Sequence, residues 1–153
     1  MPMSWHCEDA AISYSHVPAV TKAWHDIVAD LRRRTDVFDD WGMFAYTSGS
    51  TGADYLTEID IGIWEQQLDD RAWQMWVTAK RDIAAASLAV GGSISACHGS
   101  CREGEVDLVP DELGRGFHLM LDIKRTLDPN NIMNPGKYHL DRAYPIAGQG
   151  TSR

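Results

Sequence analysis

The sequence predicts an α+β fold, an antiparallel sheet covered by helices, and three observations lead there. Across residues 55–64 the chain alternates, with Ile59, Ile61 and Ile63 on one side and Glu58, Asp60 and Gly62 on the other, which is the period of a half-buried strand. A second apolar run, residues 42–47, precedes it across the connection SGSTGAD, and two strands joined by such a turn-forming loop pair antiparallel. Elsewhere the apolar residues recur every three or four positions, as on the buried face of a helix. With 153 residues and 44% hydrophobic content, one domain can bury a core without disulfide or metal staples.

In order, residues 9–14, with AAISY at their centre, read as a strand. Ser15 and His16 lead into a helix with Pro18 in its first turn, where a missing N–H costs nothing. Val17, Val20, Trp24, Ile27, Val28 and Leu31 form its stripe, which makes Trp24 a packing position and His25 a solvent one. Arg32, Arg33 and Arg34 end it, complementing the helix dipole. Asp39 and Asp40 turn the chain into the strand pair, where alternation puts Glu58 and Asp60 on the solvated face rather than in an acid–base pair. Residues 67–90 form the longest helix, with Leu68, Ala72, Trp73, Trp76, Val77, Ile83, Ala84 and Leu88 inward and Gly91 as its terminal glycine. Trp73 and Trp76 wedge between helix and sheet. Pro110 and Asp111 open a further helix with Leu113, Phe117, Met120, Leu121 and Leu127 inward and His118 exposed, and Asp128-Pro129 breaks it. Residues 146–153 lack periodicity and are expected to fray.

A formal net charge of −8 argues against nucleic acid or an anionic membrane as partner, since both need a basic face. No apolar run approaches the roughly 20 residues that span a bilayer. The N-terminus lacks the charged-then-apolar order of a signal peptide, so a soluble, cytoplasmic protein is expected. Cys7, Cys97 and Cys101 are an odd set, read as thiols rather than a disulfide framework. The chain has no internal repeat, no glycine-rich nucleotide fingerprint and no nucleophile elbow.

Two stretches carry the chemistry. Residues 91–103 read GGSISACHGSCRE, where small residues flank a histidine and let the backbone approach something flat or bulky. Taken alone, that is either a pocket wall or a tight turn, and His98 an ordinary loop histidine. Cys97, His98 and Cys101 also admit a metal or redox site, but adjacent ligands point apart and the spacing is not that of a zinc finger. The second stretch is NNIMNPGKYHLDRAY, in which Asn134, Pro135 and Gly136 make a turn that carries Lys137.

These stretches, GGSISACHGSC and IKRTLDPNNIMNPGKY with a helix between them, resemble the carboxyl-terminal end of FAD-linked oxidases of the vanillyl-alcohol-oxidase type. That family includes D-lactate and glycolate dehydrogenases, D-2-hydroxyglutarate dehydrogenase and alkyldihydroxyacetonephosphate synthase. Its Gly-Gly-[ST]-Ile-Ser, His-Gly and Asp-Pro-x-x-[IL]-x-Asn-Pro-Gly-Lys segments are matched by residues 91–95, by His98 and Gly99, and by residues 128–137. The resemblance implies a ferredoxin-like cap domain over residues 1–144, with a frayed tail at 145–153 and the family's amino-terminal FAD-binding domain absent. It implies one wall of an FAD site, with His98 as general base or substrate hydrogen bond and Tyr55 as counterpart of a hairpin tyrosine. Gly99, Asn134 and Lys137 would contact the cofactor, Lys137 offsetting the negative charge of reduced flavin. Metal-dependent members carry a glutamate before His-Gly and two hairpin histidines; Cys97, Ser48 and Tyr55 stand in those places here, so no metal is expected.

The function implied is the carboxyl-terminal half of an FAD-dependent oxidoreductase acting on a small hydroxy acid or related alcohol, or of an alkyldihydroxyacetonephosphate-synthase-like flavoenzyme, inactive alone. Its partners would be a small-molecule substrate, an FAD-binding domain or subunit in trans, and further copies of the chain in a homo-oligomer. The alternatives are a non-catalytic ligand-binding or assembly module, and a metal or redox site at Cys97, His98 and Cys101.

Overall fold

The computed structural model describes residues 4–34, 44–50, 56–65, 70–96, 99 and 103–141, the backbone alone at 4–7, 44–50 and 56–65. Helix outweighs strand. The elements are β1 (Ser4–Ser13), α1 (Val17–Arg34), β2 (Phe44–Ser50), β3 (Leu56–Glu65), α2 (Asp70–Leu88), α3 (Val109–Leu113) and α4 (Arg115–Leu127). The strands form an antiparallel sheet in the order β1-β3-β2, with β1 and β3 paired from Ser4 opposite Glu65 to Ser13 opposite Leu56. β3 thus lies between the two strands that α1 connects, a split β-α-β arrangement.

Two strands depart from the sequence reading. β1 begins at Ser4 rather than residue 9, because the full length of β3 supplies it with ladder partners that local pattern does not reveal. β2 runs on into the SGS of the expected connection, and the register shifts between Ser48 and Ser50, leaving Gly49 as a bulge. On the other side of the sheet, Ser93 N–H donates to the Ala11 carbonyl (3.0 Å) and Ala11 N–H to Ser93 Oγ (2.8 Å), so the segment after the glycine pair covers the outer edge of β1.

The main core sits where α1 and α2 meet β1. Ala10 and Ile12 meet Val20, Trp24, Val28 and Leu31 of α1 and Ala72, Trp76, Ala79 and Ile83 of α2. Trp24 is buried and its indole N–H donates to the Ile83 carbonyl at 3.0 Å, which satisfies its polar end. Trp76 is wholly buried, whereas Trp73 lies at the margin and donates to Glu103 at 3.1 Å. Lys80 and Glu8 form an ion pair at 3.7 Å with both side chains buried.

A second core gathers Ala84, Ile94, Val106, Leu108, Val109, Phe117 and Leu121, with Tyr138 and Leu140 against it. The helix expected from Pro110 onward is two helices, broken at Gly114, whose φ is 51°. The break separates Leu113 from the face that α4 buries. Phe117 and Leu121 point inward, but Leu113 and Leu127, expected to be buried, are 40% and 73% exposed. His118 is half-buried rather than exposed, its ring edge-on to Phe117. The expected frayed tail, 146–153, lies outside the described residues.

Candidate functional site

The glycine pair is shaped by the sheet. Gly91 ends α2 with φ 74°, its N–H donating to the Leu88 carbonyl at 2.9 Å, as a left-handed helix terminus requires. A Cβ on Gly92 would fall 2.5 Å from Ile12 Cδ1 and 3.0 Å from the Ala11 and Ser87 carbonyl oxygens. Smallness here serves packing against β1. The chain then runs over Asp9, a buried carboxylate whose oxygens accept from Ser95 Oγ (3.1 Å) and Ala96 N–H (3.0 Å). Glu112 accepts from Ile94 N–H at 3.2 Å; burial pushes its carboxyl up, and that hydrogen bond partly offsets the push. Asp9 and Glu112 thus fix the residues that lead to Cys97 and His98. Sequence reasoning missed both; for Asp9 the signal available was an acid inside an apolar strand, and Glu112 carries none in its helix.

The second motif is held by its own acid. Asp128, buried at the end of α4, accepts from the backbone N–H of Ile132 and of Met133, each at 2.8 Å, and from the Lys124 ammonium one turn earlier. Lys124 and those two amides hold the Asp128 carboxyl below the usual carboxylate range. Lys124 also donates to the Met133 carbonyl at 2.5 Å.

Beyond this clamp the backbone is strained. Asn131, Asn134, Gly136, Tyr138 and His139 all take left-handed φ, between 48° and 78°. Asparagine and glycine tolerate that region readily. Tyrosine and histidine adopt it at a cost of order 1 kcal/mol or more each. Tyr138 offsets the cost by packing on the second core, and His139 by hydrogen bonding to Asp107 at 2.8 Å. Strain of this kind concentrates at ligand-holding sites.

Beside the turn lies a groove of about 550 Å³, within the range of small-molecule sites. Met120, Ile123, Leu127, Met133 and Leu140 make its apolar walls, and Asn134, Lys137 and Tyr138 also line it. Gly99, with φ 81°, lies next to Tyr138; a Cβ there would be 3.5 Å from the tyrosine hydroxyl. The glycine of the first motif therefore lies against Tyr138, the residue that follows the turn of the second. A second hollow, of about 580 Å³ at Gly91 and Gly92, carries Asp111 and Glu112 and no cation, so it does not suit an anion.

Of the expected site residues, Asn134 and Lys137 line the groove and Gly99 lies beside Tyr138 in its wall. His98, Tyr55, Cys97 and Cys101 lie outside the described residues, as does the side chain of Ser48. Among the described residues there is no cluster of three or more metal-ligating side chains, and no helix is long and apolar enough to cross a membrane.

A profile of "FAD linked oxidases, C-terminal domain" matches residues 5–138. A D-lactate dehydrogenase of Archaeoglobus fulgidus is 28% identical over 110 residues, which cover 69% of this chain and 22% of that enzyme. The chain thus corresponds to about a fifth of the curated relative it matches.

Proposed function

The chain belongs to the FAD-linked oxidase C-terminal domain family, and from that premise we propose that it is the cap and substrate half of an FAD-dependent oxidoreductase acting on a small hydroxy acid. The observation that carries this reading is an apolar groove lined by Asn134, Lys137 and Tyr138, with Gly99 of the other motif beside the Tyr138 hydroxyl. A flavin ring has a flat apolar body and a polar edge that gains negative charge on reduction. The groove suits such a group: Met120, Ile123, Leu127 and Met133 offer apolar wall, while Asn134 and Lys137 offer donors.

When bound, FAD supplies the acceptor for a hydride leaving the carbon of a hydroxy acid. The chain's part is to bind, orient and move the proton. The substrate hydroxyl must lose its proton as the hydride leaves, and His98 is the base assigned to it, since a neutral imidazole accepts a proton near pH 7. Tyr55 is assigned to the same substrate. The Lys137 ammonium, on a turn whose backbone is fixed from outside, stabilises negative charge at low reorganisation cost. Asn134 adds an amide donor.

The finer fold reading, a ferredoxin-like cap, is supported by the β1-β3-β2 order with residues 93–96 running along β1 where a fourth strand would lie. The partner is an FAD-binding domain, on the same polypeptide or a separate one. Its docking surface is the outer face of α4 and the loop after it, where Leu119, Ile123, Leu127, Ile132 and Met133 are between 49% and 75% exposed. The large remainder of the dehydrogenase relative beyond the matched 22% is what supports that occupant.

The test is to combine the chain with its FAD-binding domain and follow bleaching of the flavin absorbance on adding D-lactate and other small 2-hydroxy acids without oxygen. Bleaching that needs both components, and that His98→Asn slows by roughly 10²-fold or more, is expected. A well-formed complex whose flavin no hydroxy acid reduces would overturn the reading.

A further inference from the structure

We propose that Lys124 is the positioning residue of the flavin-facing turn, an internal post that sets where Asn134 and Lys137 stand and does not itself meet the ligand. This rests on the proposed function, in which that turn faces the flavin. Residues 132–137 are exposed throughout, so packing does not hold them in place. The turn's own hydrogen bond, Lys137 N–H to the Asn134 carbonyl, is long at 3.3 Å. Its conformation also includes left-handed φ at Asn134 and Gly136, which the chain must be made to keep.

What restrains it is the residue before it. Met133 is gripped at both ends of its backbone: its N–H donates to Asp128 and its carbonyl accepts from Lys124 Nζ. Lys124 and Asp128 are themselves paired, with side chains 15% and 6% exposed. The three groups make one closed ring joining the last turn of α4 to the entrance of the Asn134–Lys137 turn. Although Lys124 lines the groove, its ammonium is committed to the protein. A lysine that merely complemented the helix dipole would need neither the Met133 carbonyl nor burial of its partner.

The experiment compares the complex of this chain and its FAD-binding domain in four forms: unsubstituted, Lys124→Met, Lys124→Arg and Lys137→Met. Two readouts are taken, the midpoint potential of the bound flavin and the rate of its reduction by D-lactate. Lys137→Met is expected to lower the potential. Lys124→Met should lower it in the same direction by less and slow reduction roughly tenfold with KM within about twofold, the cost of a misplaced rather than missing group. Lys124→Arg should recover most of both.

On the chain alone, amide exchange at Ile132, Met133 and Lys137 should quicken in Lys124→Met while that at Phe117 and Leu121 holds. Asp128→Asn, which loosens the other side of the ring, should reproduce the pattern if Lys124→Met folds poorly. Lys137→Met shifting the potential while Lys124→Met leaves potential and rate unchanged would overturn the inference and spare the proposed function. Failure of Lys124→Arg to recover would also overturn it. Both potentials unmoved would overturn the inference and the flavin-facing reading together.

Discussion

The main core and the second core are built from the same kinds of side chain but bordered differently. Around Trp24 and Trp76 the described helices and strand close on one another, and no described residue there other than glycine takes a left-handed φ. Around Phe117 and Leu121 the described non-glycine left-handed residues all fall in one adjoining segment, 131–139. Leu119, Ile123 and Leu127 turn away from that core into the open. Among the described residues, the first region buries the apolar side chains it gathers. The second keeps an unfinished apolar face and a strained turn side by side, the combination expected where a further layer is to be added.

The largest effects should come from breaking the finished side. Trp76→Ala is expected to cost about 3–5 kcal/mol, measured by urea unfolding, because it empties a wholly enclosed site. Lys80→Ala should cost about as much, roughly 3–5 kcal/mol, since it strips a buried carboxylate of its cation. The paired change Lys80→Met with Glu8→Gln should recover most of that loss. If either single substitution left unfolding unchanged, the sealed character of the main core would be wrong.

Acid and base sharpen the comparison within the second region, where two carboxylates titrate with opposite consequences. Asp128 is held below its usual range, so its contribution is present at neutral pH and is lost as pH falls through that lowered value. Glu112 is raised by burial, so its contribution is present below the ordinary carboxylate value and declines as pH rises through the raised one. Amide protection factors, corrected for the intrinsic pH dependence of exchange, should therefore fall at Ile132 and Met133 on acidification, whereas the Glu112 contribution to unfolding stability should fall on going from acid toward neutral pH. Glu112→Gln should flatten the second profile alone; the same direction at both places would contradict the assignment. The smallest change in stability, within about 0.5 kcal/mol, is expected for Ile123→Gln and Leu127→Gln on the open face. Their effect should appear instead as weaker association with the FAD-binding domain in a sedimentation or titration assay.

Periodicity is the part of the fold most legible in the sequence. The stripe Val20, Trp24, Val28 and Leu31 is buried as its spacing requires, and Gly91 ends its helix as its position requires. Local pattern fails where a turn interrupts a helix: the break at Gly114 separates Leu113 from the face that Phe117 and Leu121 bury, and Leu127, at the end of α4, lies off that face as well. It also fails for contacts between residues far apart in the chain. Asp9 reads as the start of a strand, and only folding brings it under Ser95 and Ala96. Lys124 stands in the last turn of α4, and only the folded chain shows that it bonds a backbone oxygen nine residues on. The motifs name Asn134 and Lys137; they do not name the groups that steady them.

The way residues 93–96 lie along β1 also decides how this sheet can grow. One border is already occupied, so among the described strands a neighbouring polypeptide seeking backbone partners finds β2 as the outermost rung. That rung is seven residues long and irregular at Gly49, features that discourage edge-to-edge polymerisation. Among the described strands, backbone pairing with a further strand is thereby limited to β2 and disfavoured there.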